Sequence, residues 1–109
     1  MSTVEDTNKI DAIGIDKKNN KVTLKIFDHL DWQDEHNHLY LLQEKLNSYL
    51  RFLESEEVYE AYPAAKGRQL EVSIDFITKP SASALKFLET ASQILSEAGF
   101  SLTFSIENI

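Results

Sequence analysis

The chain has 109 residues, a length that fits one domain with a hydrophobic core of its own. It contains no cysteine, which excludes disulfides, thiolate metal sites and a cysteine nucleophile, and favours a reducing, cytoplasmic setting. With 18 acidic against 11 basic residues the net charge is −7, and this disfavours nucleic acid as a partner because its binding depends on lysine and arginine neutralising phosphates.

The beginning of the chain resembles neither a signal peptide nor a membrane anchor. Residues 1–6 are polar and acidic where a signal peptide would be basic and then apolar. The longest apolar runs have only a few residues, far short of a membrane span, so we expect no membrane partner. We expect residues 1–8 to form a flexible leader and residues 9–109 to form a single α+β domain.

The first two predicted strands form an antiparallel hairpin. Residues 10–16 alternate weakly between apolar and polar side chains, and residues 22–27 alternate clearly. The lysines and asparagines of residues 17–20 suit the turn between them, because asparagine tolerates the positive φ that hairpin turns require. Gly14 lies inside the first strand and indicates a bulge there.

A long amphipathic helix is predicted to follow, with its end near Glu54. Its apolar residues recur every three or four positions, which places them on one face. Asp31 is the expected N-cap, because Asp34 and Glu35 then lie at the positive end of the helix.

The connection after this helix, residues 55–68, is long for a loop between a helix and a strand. Val58, Tyr59 and Tyr62 recur at helical spacing, so we expect a short helical turn that ends at Pro63. This segment is predicted to fold back against the long helix.

The second half of the chain predicts a strand, a helix and a last strand. Residues 70–76 alternate most clearly of all, and Ser81 or Ser83 is the expected cap of the helix that follows. Gly99 is predicted to adopt the left-handed conformation that ends this helix, with Phe100 packing back on it.

The order β-β-α-β-α-β predicts an α+β two-layer sandwich, a four-stranded mixed sheet with two helices on one face. The helices cover one face because each strand has one apolar and one polar side. Right-handed crossovers make the last three strands parallel and leave the first antiparallel at an edge. The residues expected in the core are Leu24, Ile26, Leu42, Leu46, Leu50, Val72, Ile74, Leu88, Leu95 and Phe104.

The densest polar cluster, residues 28–38, holds all three histidines. Imidazole and carboxylate are natural ligands for zinc, manganese and iron, and the cluster follows the carboxyl end of a strand. However, His36 and His38 are two residues apart and point in different directions on a helix. We therefore expect no metal, no cofactor and no catalytic residue. The alternative is a metal-dependent or acid–base enzyme using Asp28, His29, Asp31, Asp34 and His38.

Aromatic residues outside the apolar faces form a second set of candidates. Tyr40 and Phe52 lie off the main stripe of the long helix, and Phe27 falls on the polar face of its strand. Such residues indicate a second contact surface, unless the fold-back segment covers them. The candidate binding residues are Trp32, Tyr40, Phe52, Tyr59 and Tyr62.

Four stretches of the chain carry a resemblance to a known family. They are DHLDW at residues 28–32, HLYLLQEKLNSYLRFLE at 38–54, YEAYP at 59–63 and KG at 66–67. They resemble a family of small uncharacterised bacterial proteins, a domain of unknown function, over nearly the whole chain from Asn8 onward. The resemblance implies a bacterial cytoplasmic protein and assigns no catalytic residue.

The leading functional hypothesis is a non-enzymatic protein-interaction module. The small size, the acidity and the uncovered sheet face favour binding of another protein, through the polar sheet face or the Trp32–Tyr62 region. A basic partner is the sharper version. An acidic inhibitor in the manner of immunity proteins is one example. The alternatives are the enzyme described above and a small-ligand-binding domain with a pocket between the long helix and the sheet.

Overall fold

A computed structural model describes residues 3–107 of the chain. Its elements are strands β1 (Ala12–Asp16) and β2 (Lys21–Asp28), helices α1 (Glu35–Glu54) and α2 (Glu57–Ala61), a 3₁₀ turn (Pro63–Ala65), strand β3 (Gln69–Phe76), helix α3 (Ala82–Glu97) and strand β4 (Ser101–Ile106). This is the predicted α+β order, with the fold-back turn present as the short helix α2. Within residues 3–107, no helix combines the length and apolar character needed to cross a bilayer.

The four strands form one open mixed sheet in the order β1-β2-β3-β4. β1 is antiparallel to β2, and β2, β3 and β4 are parallel, as predicted. The strand order itself was not predicted. It follows chain order, because two right-handed crossovers in the same direction each add the next strand on the same side and place both long helices on one face.

The hydrophobic core lies between the helices and the two central strands. Val22, Leu24 and Ile26 of β2 pair with Leu70, Val72 and Ile74 of β3, and all six are buried beneath the helices. Eight of the ten residues predicted for the core are buried, namely Leu24, Ile26, Leu42, Leu46, Val72, Ile74, Leu88 and Leu95.

Two core predictions are wrong. Phe104 lies on the helix-facing side of β4, opposite Ile74, but 41% of its surface is exposed. The reason is the strand order, which puts β4 at the edge of the sheet, where the helices cover it incompletely. Leu50 is half-buried, because it lines a groove between α1 and α3 together with Phe87 and Ile94.

The predicted start of α1 is also wrong, by three residues. The N-cap is Asp34, whose Oδ1 accepts a hydrogen bond from the Asn37 N–H at 3.2 Å. Asp31 instead accepts a hydrogen bond from the Gln33 N–H at 3.1 Å, in the turn before the helix. Helix α3 is capped by Ser81, one of the two expected residues.

The hairpin contains the predicted turn but no bulge. Asn20 has a φ of 54°, in the left-handed region that asparagine tolerates. The pairing of β1 with β2 is continuous, and Gly14 pairs with Thr23 in register, so the predicted bulge at Gly14 is wrong. β1 begins at Ala12, two residues later than expected.

The end of α3 follows the prediction. Gly99 has a φ of 93°, and its N–H donates to the Ser96 carbonyl at 3.0 Å. The Phe100 N–H donates to the Leu95 carbonyl at 2.8 Å, which completes the pair of bonds of a Schellman motif. The chain therefore reverses into β4 with the last helical carbonyls satisfied.

Candidate functional site

A buried acid–imidazole pair joins the end of β2 to the start of α1. Oδ2 of Asp28 lies 2.6 Å from Nε2 of His38, and both side chains are almost completely buried. Nδ1 of His38 lies 2.9 Å from the carbonyl oxygen of Asp31. Oδ1 of Asp28 accepts a hydrogen bond from the Leu30 N–H at 3.1 Å. The pair therefore fixes the turn that leads from the sheet into the helix.

Both ring nitrogens of His38 face oxygen atoms, and this determines how many protons the pair holds. The Asp31 carbonyl oxygen can only accept, so Nδ1 carries a proton. The contact between Nε2 and the Asp28 carboxyl needs a second proton, on either group. Burial raises the pKa of Asp28, and the hydrogen bond with His38 opposes that rise. The arrangement can hold a proton where solvent does not reach.

Trp32 covers this pair from the loop before α1. Its ring stacks on the His38 imidazole, with 3.6 Å between centroids and 16° between planes. It also contacts Phe76 at the end of β3, with 6.2 Å between centroids. The indole Nε1 is buried and has no hydrogen-bond partner among residues 3–107. The stack seals the pair rather than presenting Trp32 as a surface aromatic.

The structure brings together two of the five residues of the metal or acid–base alternative, Asp28 and His38. His29 lies at the surface, with Nε2 at 3.2 Å from the Glu5 carboxylate. Asp34 is the N-cap of α1, and Asp31 accepts a hydrogen bond in the turn before the helix. In the described part of the chain, no group of three or more histidine and acidic side chains is placed to hold a metal ion.

Lys45 is a fully buried charged residue that was not among the candidates predicted from the sequence. Its Nζ lies 2.6 Å from Oδ1 of Asp11, which is also buried. It donates to the carbonyl oxygens of Thr3, Asp6 and Lys9 at 2.9, 2.6 and 2.7 Å. The ammonium group therefore holds the segment before β1 against the middle of α1.

The same segment is fastened to β2. The Tyr49 hydroxyl donates to the Lys25 carbonyl at 2.6 Å and accepts from the Asp11 N–H at 2.9 Å. Burial raises the pKa of Tyr49, which keeps it protonated for this role. The Val4 N–H donates to the Phe27 carbonyl at 2.9 Å, and the Val4 side chain is buried. The flexibility predicted for residues 1–8 stays a prediction. Within the described part of that segment, Thr3, Val4 and Asp6 make the contacts given above.

The five aromatic residues predicted to bind a partner lie at separate places. Trp32 stacks on the imidazole at one end of α1. Phe52, Tyr59 and Tyr62 are half-buried against the core at the other end. Tyr40 stands alone on the outer face of α1, with 56% of its surface exposed. The structure does not gather them into one surface, and their role in binding stays a prediction.

An open groove of about 860 Å³ lies near the C-terminal end of α1 and is a candidate site for a small ligand. Ile10 and Phe52 are half-buried in its wall, while Arg51, Glu54 and Glu57 are exposed. Ligand sites usually enclose most of an apolar ligand, whereas this groove is open and partly polar, and the small-ligand alternative stays a prediction.

Two rows of polar contacts cross the open face of the sheet. In each row a β2 lysine, a β3 carboxylate and a β4 hydroxyl follow one another. The lysine–carboxylate distances are 3.0 and 3.1 Å, and the hydroxyl–carboxylate distances are 3.0 and 3.1 Å. The rows are Lys21, Glu71 and Thr103, and Lys25, Asp75 and Ser105.

The helix-facing side of β4 is incompletely covered. Phe104 is 41% exposed and Ile106 is 38% exposed, and beside them α3 exposes 43% of Leu85. A groove of about 250 Å³ runs between β4 and α3. It is lined by Leu85, Leu88, Glu89, Ser92, Leu102 and Phe104.

The backbone of β4 presents unpaired hydrogen-bonding groups along this groove. The Glu107 N–H donates to the Phe76 carbonyl at 2.8 Å. Because backbone groups alternate along a strand, the odd-numbered residues of β4 point their N–H and C=O groups at β3. The even-numbered ones, with Phe104 at the centre, point away from the sheet. No strand in residues 3–107 pairs with that side, and β4 contains no charged residue.

The comparisons with known proteins give a family but no characterised relative. No curated protein and no solved structure matches the chain. One family model matches residues 1–108, which is nearly the full length and includes every element described above. The chain therefore belongs to DUF6572, a family of unknown function.

Proposed function

We propose that the chain is a protein-interaction domain that binds an extended segment of another protein along the outer edge of β4. The observation that carries this proposal is the uncharged edge strand beside the apolar groove against α3. Strand addition uses both features, because main-chain hydrogen bonds supply affinity and a groove receives every second side chain. At Phe104, β4 has both a free backbone edge and the groove beside it.

The contrast between the two edges of the sheet supports this choice. Edge strands are commonly protected by charged side chains, bulges or a short length, which prevent unwanted pairing. β1 has only five residues and ends on a charged one, Asp16. β4 has six residues, no charge and an exposed aromatic ring at its centre. An edge left unprotected in this way is suited to pairing.

An acid–base enzyme is the second candidate, and the Asp28–His38 pair is the observation that favours it. The pair is buried beneath Trp32, so a substrate could reach it only after the turn before α1 had opened. The edge of β4 needs no such opening, which makes binding the better-supported function.

We further propose that the protein is bacterial and cytoplasmic and that its partner is basic. An inhibitor or immunity protein of this charge would have such a partner. The lack of cysteine and the net charge of −7 support the compartment and the partner. The resemblance noted in the sequence supports the bacterial origin.

Photo-crosslinking in the native host tests the binding surface. A benzoylphenylalanine in place of Phe104 should form a covalent adduct with another protein, and peptide mapping should place the adduct in one extended segment. The same group in place of Ile15, which is 41% exposed on β1 at the opposite edge of the sheet, should not. Ile106→Pro removes one outward N–H from β4 and should abolish the adduct. Equal adducts from both positions, or an adduct that survives Ile106→Pro, would contradict the proposal.

A further inference from the structure

We propose that the segment bound at β4 alternates apolar residues with lysine or arginine, the apolar ones facing the helices and the basic ones facing the open side. This inference rests on the proposed function and names the chemistry of the partner. It follows from what each side of β4 places beside an added strand.

The helix-facing side of an added strand meets apolar surface. A strand that continues a sheet repeats the alternation of its neighbour, so its residues opposite Leu102, Phe104 and Ile106 face the helix layer. Phe104 and Ile106 are each more than a third exposed, and Leu85 of α3 stands over the same groove. Apolar side chains of the added strand would bury the surface of Phe104 and Ile106 that α3 leaves exposed.

The open side of an added strand meets carboxylates. Glu71 and Asp75 lie one strand in from the edge and accept hydrogen bonds from the Thr103 and Ser105 hydroxyls at 3.0 and 3.1 Å. An added strand lies about 10 Å from β3, which is twice the strand spacing. Lysine and arginine are long enough to bring their charge close to these carboxylates across the short hydroxyl side chains.

The charges around the groove favour the same partner. The lysines that pair with these carboxylates, Lys21 and Lys25, lie on β2, on the side away from the edge. Glu89 lines the groove and Glu107 follows β4 directly. An acidic segment would therefore meet like charges on both sides of the strand, and the net charge of −7 would repel it as well.

A second copy of the chain fits the site less well. Pairing two β4 strands would place serine and threonine opposite serine and threonine on the open side, and would give Glu71 and Asp75 no new cation. It would also bring two chains of charge −7 together. The charge pattern therefore selects a basic segment of another protein.

Isothermal titration with three short synthetic peptides tests this chemistry. One peptide alternates lysine with valine, a second alternates glutamate with valine, and a third has the composition of the first with lysines and valines in two blocks. The peptide that alternates lysine with valine should bind at least about tenfold more tightly than either of the other two peptides. Its affinity should fall as salt is added.

Matched variants locate the binding. Phe104→Lys adds a cation to the edge, where charged side chains oppose strand pairing, and should weaken binding of the lysine–valine peptide by at least about tenfold. Ile15→Lys adds the same charge at an equally exposed residue of β1, the opposite edge of the sheet, and should leave the affinity unchanged. Circular dichroism and thermal melting of both variants verify that they are folded.

Several results would overturn the inference. Equal affinity for the glutamate–valine or the blocked peptide would refute the charge alternation. Equal weakening by Ile15→Lys would mean that the peptide does not bind specifically at β4. A dimer in light scattering that Phe104→Lys dissociates would make a second copy the occupant. If crosslinking from position 104 succeeds while the peptides show no preference, only the proposed chemistry fails. If crosslinking also fails, the β4 site itself is wrong.

Discussion

Nζ of Lys45 lies 2.6 Å from Oδ1 of Asp11, and neither side chain is exposed to solvent. This ion pair fastens the start of the chain to the middle of α1, with the carbonyl oxygens of Thr3, Asp6 and Lys9 around the same ammonium group. A buried charge is tolerated only when its partners satisfy it, so the segment and the lysine depend on each other.

Replacing Lys45 with methionine should therefore be severely destabilising. Lys45→Met keeps the length of the side chain but leaves the Asp11 carboxylate buried without its cation, which typically costs about 3–5 kcal/mol of unfolding free energy. Urea denaturation measures the loss, and Lys18→Met, at an exposed turn residue, should change stability by less than about 0.5 kcal/mol. A loss below about 1 kcal/mol at Lys45 would mean that the buried cluster does not hold the segment.

The Asp28–His38 pair should make stability depend on pH in a particular direction. Burial raises the pKa of Asp28 above its unfolded value of 3.8, so the folded state binds this proton more tightly. Its contribution to stability is fully present below pH 3.8 and is lost as the pH rises through the raised folded value. The unfolding free energy of the wild type minus that of Asp28→Asn should therefore fall as the pH rises from about 4.

An exposed aspartate provides the control of opposite sign. Hydrogen bonds from the Asn19 side chain and backbone lower the pKa of Asp16, so its contribution is present above pH 3.8 and is lost as the pH falls. For Asp16→Asn the same difference should therefore rise with pH, weakly because the group is exposed. A difference for Asp28→Asn that does not change with pH would show that the pair holds no extra proton.

Gly99 should tolerate asparagine better than valine. Its φ of 93° lies where a β-branched residue is a steric outlier, and no atom lies within 4 Å of the position a Cβ would take. The cost is therefore backbone strain rather than a packing clash. We expect Gly99→Val to lose about 1–3 kcal/mol and Gly99→Asn to lose less, as measured by thermal denaturation. Equal losses would mean that the end of α3 does not depend on the left-handed conformation.

The two residues Ile74 and Phe104 are paired across β3 and β4 but should respond differently to truncation. Ile74 is fully buried, and Ile74→Ala should cost about 2–5 kcal/mol. Phe104→Ala should cost less, because 41% of the residue is already exposed. Denaturant unfolding of both variants tests this order. A larger loss of unfolding free energy for Phe104→Ala than for Ile74→Ala would contradict the exposure of Phe104 at the edge of the sheet.

The sequence was sufficient for the elements and the faces of the sheet, because both follow from local periodicity. It was not sufficient for the exposure of Phe104, since alternation shows which way a side chain points but not whether a helix covers it. That depends on β4 lying at the edge, a property of strand order. The apolar residues of β4 were therefore assigned to the core, and the surface now proposed for binding was missed.

The polar features show the same limit. Asp28 and His38 were both candidate residues, but they are ten positions apart across a turn, and helical spacing could not reveal that they meet. Lys45 offered a clearer signal, because it lies between Leu42 and Tyr49 on the apolar face of α1. A lysine in that position indicates either a buried partner or a break in the stripe. Its partners come from the first eleven residues of the sequence, most of which show no periodic pattern.

Amide hydrogen exchange along β4, measured by NMR with and without saturating lysine–valine peptide, tests the proposed strand addition most directly. The N–H of Phe104 points away from the sheet, whereas those of Thr103 and Ser105 point at β3. Bound peptide should slow exchange at Phe104 by at least about tenfold and change the rates at its two neighbours much less, since those amides are already bonded. Unchanged exchange at Phe104, or equal slowing at Ile15 on the opposite edge strand β1, would contradict binding along the edge of β4.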